Sequence, residues 1–457
     1  MTSENSVMIG KISLKLRPYS LVIPIWFLEL TLLLYVFILP IWPEYAVIKI
    51  GKLPGINLQR ILIMGNVLLW IFGLIINPVY RSTLYLRLRT HTGIIIIISL
   101  FFLWKYISVI PSSMMIKSIY AATNELIIWY LLFFIGLTVF VSPRQVWRFL
   151  STIVLAGIVI SLVGIYEAVT DKIFFAEYVP VWSEYTKQAL SHNLLKEHRI
   201  QATFANTLSL AQFMIIMLPL AVTLIVKSKS IMIRLMAAVA SLLGPVVIWF
   251  TQSRSPIVVV VLLLALYVSS RILKKVRQAK GIVYYRFVLV FIPVIIIAVA
   301  VSSFILFTMI IGRTETESLS TLMRVSQLYV GGEAITQQPL FGYGPALAAI
   351  EAGIGMGDLP TIDNYYLTLM IESGIPALII FVVIIVYFIR LGIRLFLSND
   401  KEISFLGSAI VYALVGFTIF ILILSLKVNF PIIYLFMAML IVLDDYGKTS
   451  KGFERKE

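Results

Sequence analysis

The chain of 457 residues sets an arginine directly against a long apolar run. In "TQSRSPIVVVVLLLAL", Arg254 stands between Ser253 and Ser255 at the head of the run. A charge at the edge of a hydrophobic span is costly unless it has a partner or a task. Two further arginines stand beside polar or turn-forming residues: Arg199 in "EHRIQATFANTLSLAQFM" and Arg324 in "LMRVSQLYVGG". A guanidinium stays charged at any working pH, and its planar fork fits the oxygens of a phosphate. Ser253 and Ser255 add hydroxyl donors, and a helix beginning near Arg254 would add free backbone N–H groups and a partial positive charge. Together these could hold an anionic group at a membrane boundary. The structural alternative is that each arginine reaches lipid headgroups or caps a helix.

The acids pose a parallel question. Asp363 and Asn364 precede Tyr365 and Tyr366 at the foot of an apolar span. Asp363 is either an N-cap, with interfacial tyrosines after it, or a general base. Glu372 lies inside the same span, where an acid normally faces a polar cavity or a partner. Glu29, Lys105 and Glu167 raise the same question in a weaker form. Cysteine is absent, which excludes disulfides, thiolate nucleophiles and Cys metal sites. The three histidines, His91, His192 and His198, have no metal-binding spacing. No metal or other cofactor is expected.

The elements that must position these residues are membrane helices. The chain is 60% hydrophobic and 13% charged, against roughly a quarter charged in a soluble domain. Its mean hydropathy is +1.00. Apolar runs of the ~20 residues needed to cross a bilayer lie near 19–41, 61–79, 93–110, 124–141, 147–169, 207–226, 231–250, 256–270, 287–311, 369–390, 402–425 and 428–443. An all-α polytopic membrane protein of about twelve transmembrane helices is therefore expected. The first run follows a charged leader without a small-residue cleavage site and reads as a retained anchor. With the N-terminus inside, the inner segments and the residues at their span ends hold 24 of the 37 Lys and Arg but 7 of the 22 acids. This is the positive-inside bias. The net charge of +15 is thus a topology signal, and it points to membrane lipid as a partner and away from nucleic acid.

That topology divides the chain into a cytoplasmic tail (1–18), nine spans (19–311), a large extracytoplasmic loop (312–363), three spans (364–443) and a second cytoplasmic tail (444–457). A further outer loop covers about 171–206. Loops of such length are usually functional or disordered. The larger one is patterned: Leu322, Val325, Leu328 and Tyr329 recur at the spacing of a half-buried helix. "QQPLFGYGPALAAI" then makes a tight turn, and Gly374–Ile375–Pro376 should break or kink the following span. No repeat of 20–50 residues is present.

In order and spacing, "TQSRSPIVVVVLLLAL", "MRVSQLYVGGEAITQQPLFGYGP" and "DNYYLTLMIESGIPALIIF" resemble the O-antigen ligase and O-antigen polymerase superfamily. "RIQATFANTLSLAQFMIIMLPLA" resembles its upstream stretch, so the likeness covers about 199–381. The resemblance implies a GT-C-like fold and an inverting, metal-independent glycosyltransferase in a bacterial cytoplasmic membrane, with its site on the extracytoplasmic side. The implied donor is an undecaprenyl-pyrophosphate-linked oligosaccharide and the implied acceptor a glycan or glycolipid, with a chain-length regulator as a further partner. Carried onto this sequence, Arg199 and Arg254 hold the pyrophosphate, Arg324 is a third contact, and Tyr343, Asn364, Tyr365 and Glu372 support the site. Ligases of the superfamily usually have histidine where Asp363 stands. The acid favours a polymerase of surface-polysaccharide repeat units, with Asp363 as base and His198 as the substitute.

Two other readings compete. A ligase would keep the donor and change the acceptor. A lipid-linked oligosaccharide flippase would need ionisable groups near the midplane of several helices, or matching broken helices in two halves. The polar residues here cluster instead on one expected face.

Overall fold

The computed structural model describes residues 23–43, 46–48, 56–175, 199–278, 315–353, 362–425 and 427–454. Every named element there is a helix. They are α1 (Ile25–Ile41), α2 (Leu58–Ile76), α3 (Pro78–Thr90), α4 (Thr92–Ile107), α5 (Met115–Val139), α6 (Pro143–Thr170), α7 (Thr207–Lys227), α8 (Ile231–Phe250), α9 (Arg254–Gln278), α10 (Glu315–Gln337), α11 (Ala348–Glu351), α12 (Tyr365–Phe396), α13 (Lys401–Phe420) and α14 (Phe430–Glu454). Among the described residues, nine helices are long and apolar enough to cross a membrane. The bent pair α3–α4 would make a tenth. The protein is an all-α polytopic membrane protein, and each expected span within the described residues contains a helix, although α1 has only 17 residues and α4, α5 and α13 end short of the expected bounds. The span expected at 287–311 lies outside them, as do His192 and His198.

Local chemistry sets the helix ends. Ser142 and Gln145 form a capping box at the start of α6, with Pro143 at its first position. Asn206 caps α7 and Asp400 caps α13 through their side-chain oxygens. α13 ends at Phe420, short of the expected 425, and the Ile421 carbonyl accepts from the Tyr365 N–H at 2.9 Å.

The interior is built from α7, α13 and α14, whose apolar windows are 72%, 78% and 83% buried, while α2, α8 and α9 are at most a third buried. Peripheral helices can stay apolar on both faces because lipid takes the place of a core neighbour. Close approach relies on small residues: a Cβ on Gly416 would come within 2.8 Å of Ile215 and Leu263, and one on Gly392 within 2.7 Å of Val411.

α10 is a helix, but its apolar stripe lies on the other side from the one expected. Leu322, Val325, Leu328 and Tyr329 are all exposed, and the buried positions are Gln327, Gly331 and Ala334. The small residues win this face because α12 approaches closely: a Cβ on Gly331 would stand 3.0 Å from Leu367. Ala334, Ala348, Ile362, Leu367 and Ile371 form a small separate core beneath the loop.

Candidate functional site

Arg199 and Arg254 meet at one turn. Arg199 Nε donates to the Thr251 carbonyl at 2.9 Å, and its Nη2 donates to Ser253 Oγ. The Ile200 N–H reaches the Phe250 carbonyl at 3.4 Å. The arginine thereby clamps the residues just before Arg254, the first residue of α9. Gln252 takes a left-handed conformation (φ 49°) to close this turn. Ser253 is buried, and its hydroxyl accepts from Arg199, so it serves the turn and does not flank Arg254 as an open donor. Ser255 is half-buried, one residue into α9.

Glu167 supports the same strand of chain. Fully buried near the end of α6, it accepts from the N–H of Ala202 at 2.6 Å and that of Gln201 at 3.2 Å. Ala202 also has positive φ (52°). The acid therefore fixes the backbone between Arg199 and the cap of α7.

Asp363 pairs with Arg324. Arg324 Nε lies 3.7 Å from Asp363 Oδ2, both side chains about two-fifths exposed. The Asp363 N–H donates to Gln327 Oε1 at 3.1 Å. The N-cap of α12 is Asn364, whose side chain accepts from the Leu367 N–H at 3.1 Å. Asp363 therefore does not take the capping role. Tyr365 is fully buried against Phe381 and Phe430, away from any interfacial belt, and the Tyr366 hydroxyl donates to the Thr418 carbonyl at 2.9 Å.

Glu372 sits at the kink in α12. Gly374 leaves the helical region there (φ 76°, ψ 173°), and Pro376 has no N–H to donate. Ile375 donates to the Pro339 carbonyl instead, at 2.8 Å. The Ile371 and Glu372 carbonyls are released and accept from the N–H groups of Tyr343 and Gly344, both at 2.9 Å. The "PLFGYGP" turn is therefore clipped backbone-to-backbone onto the kink. Glu372 Oε1 accepts from the Ala346 N–H at 2.9 Å, and the Tyr343 hydroxyl donates to Gln337 Oε1 at 3.0 Å. Burial and nearby Glu351 raise the Tyr343 phenol above its ordinary value.

The other oxygen of Glu372 reaches Lys427 at 3.3 Å. Lys427 also contacts Glu125 Oε1 at 2.5 Å, and Glu125 pairs in turn with Lys105. Lys105, Glu125 and Glu372 are all buried, so each charge is compensated by an opposite one. Burial works against the Lys427 ammonium, but the two carboxylates outweigh it and hold its proton above the usual lysine range. Sequence reasoning raised Lys105 and Glu372 but missed Glu125 and Lys427. The available signal was a lysine and an asparagine between two apolar spans in "LSLKVNFP". Glu29 is likewise partnered, with Arg148 at 3.0 Å.

Apart from the Glu29–Arg148 pair, which sits at the start of α6 and so at the opposite end from Glu167, these groups lie at one end of the bundle, which Asn429 ties to Ser209 and Gln212, and Thr203 to Pro40. Direct contacts join Arg199 with the Arg254 turn, Arg324 with Asp363, and Glu372 with Lys427. His91 stands apart from them, 2.7 Å from Asp445. His91, Asp444 and Asp445 could geometrically hold a cation. Arg87, Arg394 and Lys448 already engage those acids, which makes the cluster a poor metal site.

Residues 237–382 match the family model described as O-antigen ligase. That segment carries Arg254, Arg324, Asp363, the glycine turn and the kink, and the match supports the resemblance to the ligase and polymerase superfamily. It supports, in general terms, an enzyme of the glycosyltransferase kind with a lipid-linked glycan donor. No curated protein matches the chain.

Proposed function

We propose that this protein is an inverting, metal-independent glycosyltransferase that polymerises repeat units of a surface polysaccharide. The donor is a glycan on undecaprenyl pyrophosphate at the outer leaflet of a bacterial cytoplasmic membrane. The observation that carries this reading is the shared turn that brings Arg199 and Arg254 together, at the same end of the bundle as Arg324 and Asp363. In this mechanism the acceptor hydroxyl attacks the anomeric carbon of the donor sugar from the face opposite the pyrophosphate. The carbon–oxygen bond to pyrophosphate breaks as the new glycosidic bond forms, and Asp363 takes the hydroxyl proton. Charge gathers on the leaving phosphates, where preorganised cations act most strongly. Arg254 contacts those oxygens at the start of α9, and Arg199 holds the turn that aims it. Arg324 orients the carboxylate through their ion pair.

The description of the matched family favours a second reading, a ligase that passes finished glycan to another acceptor. The two readings, and a flippase, separate in one experiment: analysis of lipid-linked glycans in strains carrying Arg254→Ala or Asp363→Asn, at matched protein levels. Single repeat units accumulating outside support the polymerase. Long polymer left on its carrier supports the ligase. Intermediates trapped on the cytoplasmic leaflet would make the protein a transporter and remove the proposed site.

A further inference from the structure

A cavity of about 710 Å³ lies at the end of the bundle away from Arg199 and Asp363, between the late turns of α9, α12 and α14 and the start of α13. Its wall carries Lys274, Arg390, Arg394 and Lys448 against one carboxylate, Asp444, with Ile393 among the apolar lining. Asp444 is shared between Arg394 and Lys448, at 2.7 Å each. Lys274 has no acid partner among the described residues; its ammonium donates to the Phe396 carbonyl at 2.7 Å and Ser404 Oγ at 2.6 Å, and lies 4.9 Å from the Phe396 ring centre. Arg390 has no ion pair among the described residues and stands four residues before Arg394, a like-charge spacing that disfavours the helix. Burial and neighbouring Arg271 push the Lys274 ammonium below its usual value.

We infer that this cavity binds a phosphate-bearing anion, either the headgroup of an anionic phospholipid or a soluble compound presenting the same group. Four cations with one acid between them leave a local surplus that an anion would neutralise. The volume falls within the ~300–1,000 Å³ of ordinary ligand sites. Basic pockets between membrane helices recruit anionic headgroups, each cation adding about 1 kcal/mol, roughly fivefold in affinity. The apolar wall beside the cations suits the glycerol and first methylenes of a lipid. Nothing in the proposed transfer reaction uses this end of the molecule.

The test uses the full-length protein in nanodiscs of phosphatidylcholine alone, of phosphatidylcholine with cardiolipin, and of phosphatidylcholine with inorganic phosphate in the buffer. Thermal unfolding and native mass spectrometry of retained lipid are the readouts. Cardiolipin should raise the unfolding temperature and stay bound to the wild-type protein. Arg390→Gln should keep the unfolding temperature of the wild type in neutral discs while losing roughly fivefold in cardiolipin affinity. Lys401→Gln, an exposed control outside the cavity, should keep the full response. Stabilisation by cardiolipin alone assigns a lipid headgroup, and stabilisation by phosphate in neutral discs assigns a soluble ligand. The inference is overturned if neither ligand stabilises the wild type, or if Arg390→Gln responds as strongly as the wild type. A response lost equally in Lys401→Gln would also overturn it, as general surface attraction.

Discussion

At the scale of single residues, the two arginines of the shared turn have different duties. Arg199 spends two donors on the backbone and hydroxyl of residues 251–253, whereas Arg254 starts the helix that follows. Arg254→Ala is expected to cut transfer by about 10²–10³-fold, the usual effect of removing one preorganised donor from a developing charge. Arg199→Lys should lower both activity and unfolding temperature, because an ammonium cannot reproduce two divergent N–H bonds. Kinetics and thermal melts on the same preparations would check this, and wild-type stability in the Arg199→Lys variant would refute the clamp. Lys427→Met leaves Glu125 and Glu372 without their common cation. Breaking a buried pair in this way costs about 3–5 kcal/mol, so this variant should melt well below the wild type even though Lys427 touches no proposed substrate atom.

At the scale of elements, the kink of α12 and the loop turn form one device. Both need glycine: Gly342 has φ 65° and Gly374 φ 76°, and an added Cβ would meet the Ile371 or Leu340 carbonyl oxygen at 2.5 or 2.0 Å. Gly374→Ala should therefore destabilise the protein strongly and lower its level in the membrane, since strain and a backbone clash act together. The exposed stripe of α10 gives the contrasting case. Leu328→Ser should stay within about 0.5 kcal/mol of wild-type stability in a thermal melt, as surface changes do, whereas a stripe packed on the bundle would lose several times more. Glu372 and the Arg324–Asp363 pair both flank this device, so the glycines position site residues as well as shape the fold.

For the whole molecule, the expectation is topological. The absence of native cysteine makes single-cysteine labelling clean. Cysteines at exposed Gln252 and Glu333 should react with an impermeant thiol reagent in intact cells, and one at Lys401 only after the cells are opened. The reverse pattern would invert the membrane orientation and move the arginines to the cytoplasmic face. Transfer activity should also survive a chelator, because the charge on the leaving group is met by arginines in the proposed mechanism. Loss of activity restored by a divalent ion would remove that mechanism.

The sequence by itself determined the helices, because hydropathy and capping residues act over one or two turns. It also marked the residues worth asking about: the arginines, Asp363, Glu372 and the glycine turn all carry local signals. Only the tertiary structure decided how they were used. Ser253 became part of a turn because Arg199, 54 residues away, reached it. Asp363 was left outside the cap of α12 because Asn364 took it. The stripe of α10 faced outward because Gly331 and Ala334 let α12 come closer than leucines would. Glu125 and Lys427, 302 residues apart, left no trace of their pairing in either local stretch. Partners set by packing across the bundle have no period or spacing in the chain, and so they appear only once it is folded.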